Sequence, residues 1–112
     1  MTKKKLMAFA KERGFIFDGE KYHNGGYKAK NKNGVVCKSF TLEGLKRMID
    51  KYLIEENKEK LMRFNIDDKI SIKNFKDKYA HKGILNKIEN DVIIVDGIYL
   101  YYYKDIESIE KI

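Results

Sequence analysis

Val92-Ile93-Ile94-Val95-Asp96-Gly97-Ile98-Tyr99-Leu100-Tyr101-Tyr102-Tyr103 reads as a β-hairpin. Two apolar runs flank Asp96-Gly97, a dipeptide that readily supplies the positive φ angles of a tight two-residue turn. Pairing across that turn predicts Ile93, Val95, Ile98 and Leu100 on one face, with Val92, Ile94, Tyr99 and Tyr101 on the other. Both faces are apolar, whereas a half-solvated antiparallel sheet buries only one. The second face therefore needs cover from the N-terminal part of the chain, from a second copy or from a partner. Ile94, Tyr99, Tyr101 and Tyr103 are the candidate protein-contact residues, because tyrosine offers rigid area with a polar tip.

Outward from this hairpin the chain keeps the period of strands. Lys69–Lys73 alternates, His81–Ile88 leads through Asn90-Asp91 into Val92, and a last short strand is expected at Ser108–Ile112. Five short strands with tight turns predict a small closed or nearly closed β-barrel over residues 61–112. The strand lengths, the Asp96-Gly97 turn and the closing Tyr103-Lys104-Asp105-Ile106-Glu107-Ser108-Ile109 resemble SH3-like small barrels. That resemblance implies a fold rather than a function, since such barrels bind RNA, DNA, peptides or other proteins.

Residues 1–60 switch to mixed periods. Leu6, Phe9, Ala10 and Arg13 recur at helical spacing after Thr2, and Gly14 supplies the stop. Asp18-Gly19, between Phe15-Ile16-Phe17 and Glu20-Lys21-Tyr22-His23, predicts a first hairpin. Asn33-Gly34, between Tyr27–Lys32 and Val35–Phe40, predicts a second. Thr41 then caps a helix carrying Leu42, Leu45, Ile49, Tyr52 and Leu53 at helical spacing, which runs into the polar stretch Glu55–Lys60. The expected fold is thus α+β: an N-terminal helix–hairpins–helix module, then a five-stranded barrel.

The charge is unevenly spread. The chain carries +7 overall, yet residues 1–63 hold 16 Lys+Arg against 8 Asp+Glu, while residues 64–112 hold 8 against 9. An anionic partner would meet the first half. With Asn33-Gly34 as a two-residue turn, Lys28, Lys30 and Lys32 share one sheet face with Val35, Cys37 and Ser39. The other face, with Tyr27, Ala29 and Phe40, then packs on the following helix. The three lysines, with Lys21, Lys46 and Arg47, are the candidate nucleic-acid contacts. As simple solubilising charges they would equally guard a sheet against edge pairing. Only 3 of the basic residues are arginine against 21 lysines, which disfavours bidentate reading of guanine. Tyr27–Leu53, hairpin then Ser39-Phe40-Thr41 then amphipathic helix, resembles the three-stranded-sheet-plus-helix arm-binding domains of phage-type integrases. That likeness implies a sheet placed in the DNA major groove.

Catalytic groups are sparse. His23 and His81 lie in different halves with no ligand spacing around them, so no metal or cofactor is expected. Cys37, the single cysteine, suits a half-buried strand and a reducing, cytoplasmic setting. No apolar run approaches a membrane span. The abundance of lysine, isoleucine, asparagine and tyrosine indicates AT-rich coding, as in a low-GC bacterium or its phage. The expectation is a non-enzymatic DNA- or RNA-binding accessory protein, with a protein or self contact through the tyrosine-rich hairpin. The alternative is a small phage-type inhibitor or adaptor that blocks a host nucleic-acid enzyme.

Overall fold

The computed structural model describes all 112 residues, Met1–Ile112. It is an α+β structure with two α-helices and two antiparallel sheets of three and five strands. The chain divides into two compact units, Met1–Lys51 and Tyr52–Ile112. No helix is long and apolar enough to cross a membrane.

In the first unit, helix α1 spans Lys3–Glu12, capped by the Thr2 hydroxyl, which accepts from the Lys5 N–H at 3.2 Å. Strands β1 (Phe15–Phe17), β2 (Tyr27–Asn31) and β3 (Val36–Ser39) form the three-stranded sheet in chain order. Helix α2 spans Leu42–Leu61, and the Thr41 hydroxyl accepts from the Gly44 N–H at 2.9 Å. Phe15, Phe17, Ala29 and Cys37 are buried on one face of the sheet, together with Leu6 and Ala10 of α1 and Leu45 and Ile49 of α2. Ile16, Lys28, Lys30, Val36 and Lys38 alternate with them and are exposed. The helices therefore cover one face and leave the other to solvent.

Two expected turns come out differently. Asp18-Gly19 makes no hairpin: β1 pairs instead with β2, Phe17 opposite Ala29. The Asp18 carboxylate accepts from the Glu20 N–H at 2.8 Å and from the Tyr22 hydroxyl at 3.0 Å, so it closes a local turn in place of a ladder. At Asn33-Gly34 the loop holds three residues, not two. Asn31 N–H bonds the Val35 carbonyl at 3.0 Å, while the Asn31 amide oxygen accepts from the Asn33 and Val35 N–H groups. Gly34 alone takes a positive φ, 83°, as the left-handed residue of a three-residue loop requires. The register slips by one, so Lys28 faces Lys38, Ala29 faces Cys37 and Lys30 faces Val36. Cys37 moves to the buried face and Lys38 to the open one.

In the second unit, strands β4 (Lys69–Asn74), β5 (His81–Ile88), β6 (Val92–Val95), β7 (Tyr99–Tyr102) and β8 (Ile106–Lys111) form one sheet in the order β7-β6-β5-β4-β8. The sheet is open, not the closed barrel expected from the strand spacing. A 3-10 turn at Tyr103–Asp105 redirects the chain so that β8 pairs with β4, Ile109 opposite Ile72, and leaves β7 as an edge. Ile70, Ile72, Leu85, Ile93, Tyr103 and Ile106 form its inaccessible core.

The division between units falls inside α2, whereas the expected break stands at residue 60. Leu53, Asn57 and Leu61 recur every fourth residue of the helix and are all buried. The Asn57 amide donates to the Tyr103 carbonyl at 2.7 Å and to the Ile106 carbonyl at 3.1 Å. The acceptors are the first residue of the 3-10 turn and the residue that follows it, so the buried amide satisfies its two N–H bonds while tying the helix to that turn.

Candidate nucleic-acid interface

The open face of the three-stranded sheet is a basic surface built by β2 and β3. Lys28 and Lys38 stand directly opposite each other, with Lys30 two residues along β2 and Lys32 in the following loop. All four are exposed, and none takes part in an ion pair. Like charges directly opposite on neighbouring strands destabilise a sheet, by tenths of a kcal/mol to about 1 kcal/mol. Neither lysine has a carboxylate partner to offset that opposition.

The connection from β1 to β2 folds over one side of this face. Tyr22 N–H bonds the Gly26 carbonyl at 2.9 Å, Gly25 N–H returns to the Tyr22 carbonyl at 2.8 Å, and the Asn24 amide oxygen accepts from Gly26 N–H at 3.0 Å. This self-bonded turn holds the Tyr22 ring beneath the Lys28 ammonium, 4.5 Å from the ring centroid. Partial desolvation, aided by the Asp18 carboxylate, pushes the Tyr22 phenol pKa up. Two clefts meet at Tyr22 and Lys28. The larger, about 700 Å³, reaches His23, Lys38 and Phe40; the smaller, about 360 Å³, reaches Ile16, Lys30 and Lys32. Phe40 is 73% exposed at the end of β3.

The expected basic set is thus only partly brought together. Lys28 and Lys30 share the open face, and Lys32 extends it from the loop. Lys46 lies in the helix layer, paired with Asp50 at 3.1 Å and 4.8 Å above the Phe9 ring. Its neighbour Arg47 is exposed on the same helix. Lys21 stands over Tyr27, 5.9 Å from the centroid, and Tyr27 points to the opposite side of β2 from Lys28. Sequence reasoning missed Lys38, because the one-residue slip decides its face, and missed Tyr22 and Phe40. Lys38 and Phe40, two residues apart and so on one face of the strand, were the available signal.

No family model, curated protein or solved structure matches this chain.

The tyrosine-rich hairpin also shifts by one. Asp96 and Gly97 take φ values of 53° and 74°, but Ile98 is an extra residue and pairing resumes with Val95 opposite Tyr99. Ile93, Val95, Tyr101 and Tyr103 then point into the core, while Ile94 shares the other face with Val92, Leu100 and Tyr102. Tyr101 and Tyr103, expected as contact residues, are buried in the core of this sheet. Tyr99 remains half-exposed, edge-on to His81 at 4.8 Å.

His81 links this hairpin to β5. Its Nδ1 lies 2.8 Å from the Tyr101 hydroxyl and its Nε2 2.8 Å from Asp96 Oδ2. Asp96 Oδ1 accepts from the Ile84 N–H at 2.9 Å, and Gly83 leaves room for this carboxylate: a Cβ there would meet Asp96 Oδ2 at 2.5 Å. The Ile84 N–H, then His81, holds the Asp96 carboxyl below the usual carboxylate range. A depressed folded-state pKa adds stability above the unfolded carboxylate range, and that stability is lost as pH falls through the folded value. Asp96→Asn should therefore melt lower than the parent near neutral pH, and the gap should shrink below about pH 4. Thermal melts across that range check it; a gap independent of pH would remove the carboxylate from the account.

Proposed function

We propose that this chain is a non-catalytic nucleic-acid-binding protein that meets phosphates with the open sheet face of its first unit. The observation that carries the reading is the unpaired Lys28–Lys38 cross-strand pair, flanked by Lys30 and Lys32. A phosphate backbone would neutralise a repulsion that the fold leaves exposed. The integrase-arm likeness and the charge bias of residues 1–63 support the same surface. Lysines without arginine partners on this face suit phosphate contact better than base reading. Cys37, the single cysteine, is buried on the opposite face of this sheet, and burial pushes its thiol pKa up, which favours binding over thiol chemistry.

The test is fluorescence anisotropy with labelled oligonucleotides over a salt series. Four phosphate contacts should give a log–log slope of affinity against salt of about −3 to −4. Affinity that is flat with salt, or no binding at low ionic strength, would remove nucleic acid as the partner.

A second reading has its own observation. Edge strand β7 exposes Tyr99, Leu100 and Tyr102, which are 49%, 53% and 46% accessible. An unpaired edge with apolar side chains is a template for strand addition by another protein. The SH3-like resemblance of the second unit's sequence would suit a protein-binding role. The chain would then act as an adaptor or a phage-type inhibitor of a nucleic-acid enzyme.

A further inference from the structure

We infer that the preferred ligand of the basic face is a single-stranded nucleic acid, with bases stacked on Tyr22 and Phe40 and phosphates along Lys28, Lys30 and Lys38. The inference rests on the nucleic-acid reading above and narrows its substrate class.

Three features separate a single strand from a duplex here. The first is aromatic. Phe40 is 73% exposed and lines the larger cleft, and Tyr22 lines both clefts. Duplex backbones offer phosphates and sugars to a protein surface but keep base faces stacked inside. Only an unstacked strand can use these rings. The second is shape. The clefts are recesses over the sheet, walled by the Asp18–Gly26 connection, whereas reading of duplex grooves calls for an element that projects. The third is organisation in advance. The backbone bonds within Tyr22–Gly26 and the Tyr22–Asp18 hydrogen bond fix the ring before any ligand arrives, so little ordering cost falls on binding. Lys28 and Lys30, two residues apart on one face, repeat at about 6.7 Å along β2, a spacing comparable with an extended sugar–phosphate chain. Asp18 is the one carboxylate lining the smaller cleft, and it is already engaged by Tyr22 and the Glu20 N–H.

The experiment compares three labelled probes of about 20 nucleotides at one ionic strength: oligo-dT, oligo-U and a mixed-sequence duplex. Both single strands, or the preferred one of them, should bind at least tenfold more tightly than the duplex, and the dT-to-U ratio identifies the sugar favoured. Tyr22→Leu with Phe40→Leu should lower single-strand affinity by about tenfold or more while leaving duplex affinity unchanged. Tyr22→Phe, which keeps the ring but loses the hydroxyl bond to Asp18, should retain most of the single-strand affinity that the leucine variant loses, which separates stacking from the fixing of the ring. The chain has no tryptophan, so Phe40→Trp gives an independent signal: its fluorescence should be quenched by single strands and not by duplex. Duplex binding equal to or tighter than single strand, or an unaffected double-leucine variant, overturns this inference and leaves the broader reading intact. Failure of all three probes to bind removes both.

Discussion

Tyr103→Ala should destabilise the second unit by about 3–5 kcal/mol, the range for truncating a buried aromatic side chain. The ring is 1% exposed within the core of the five-stranded sheet. Its hydroxyl donates to the Glu89 carbonyl, its N–H bonds the Asp91 carbonyl at 3.2 Å, and its own carbonyl receives the Asn57 amide. Alanine would leave a large cavity and strip the Glu89 carbonyl of its donor. Single domains are stable by only about 5–15 kcal/mol, so this loss is a large share of the whole. Tyr103→Phe keeps the ring and should cost about 1 kcal/mol, that of one hydrogen bond. Urea denaturation of the three proteins measures both numbers. An unchanged midpoint for Tyr103→Ala, coupled with loss of a binding partner, would return Tyr103 to the surface role that its sequence context suggests.

Why that context misleads is physical. Period-two alternation placed the two strands of this hairpin, Val92–Val95 and Tyr99–Tyr102, within a residue of where they form, although the strand it suggested at Glu20–His23 is a turn. It could not fix which residues share a face. In both hairpins the turn holds one residue more than the dipeptide implies, and each extra residue reverses the inward and outward sets of one strand relative to the other. At Asn33-Gly34 the cause is the Asn31 side chain, which captures two backbone N–H groups and widens the loop. At Asp96-Gly97 it is the Asp96 carboxylate, drawn to Ile84 and His81, with Ile98 left 74% exposed. Side-chain to backbone bonds of this kind compete locally with the ladder and leave little trace in composition.

The helices were more legible. Thr2 and Thr41 cap them as the residue types suggest, and Gly14 follows α1 with a φ of 80°. The polar stretch Glu55–Lys60 hid one important residue. Asn57 lies four residues after Leu53 and four before Leu61, so helical spacing places it in an apolar stripe. That spacing was the available signal that its amide bonds inward instead of meeting water. The absence of β7–β8 pairing was not legible, because it depends on where the 3-10 turn aims β8. The basic face lay between these extremes. Lys28 and Lys30 were visible by alternation alone, whereas Lys38 needed the register, and Tyr22 needed the packing of a connection whose residues read as a strand.

Lys28→Glu, Lys30→Glu and Lys38→Glu together should reduce nucleic-acid affinity by at least about a hundredfold at low salt, which corresponds to about 2.7 kcal/mol. Each change removes an attraction and adds a repulsion to the same phosphate track, so the loss per site exceeds that of neutralisation. Three fewer cationic contacts should also flatten the salt dependence by about 2–3 units of slope. The fold should survive. The three side chains are exposed and make no ion pairs, and two opposed carboxylates repeat the like-charge opposition that Lys28 and Lys38 already impose. A milder variant, Lys38→Glu alone, separates the two effects. It should stabilise the sheet by up to about 1 kcal/mol, because Lys28 gains an opposite charge directly across the strands. The same change should weaken binding. Stability and affinity moving in opposite directions is the signature of charges kept for a ligand and not for the fold. If Lys38→Glu leaves affinity intact while raising the melting temperature, the open face carries lysines only for solubility and the phosphate track lies elsewhere.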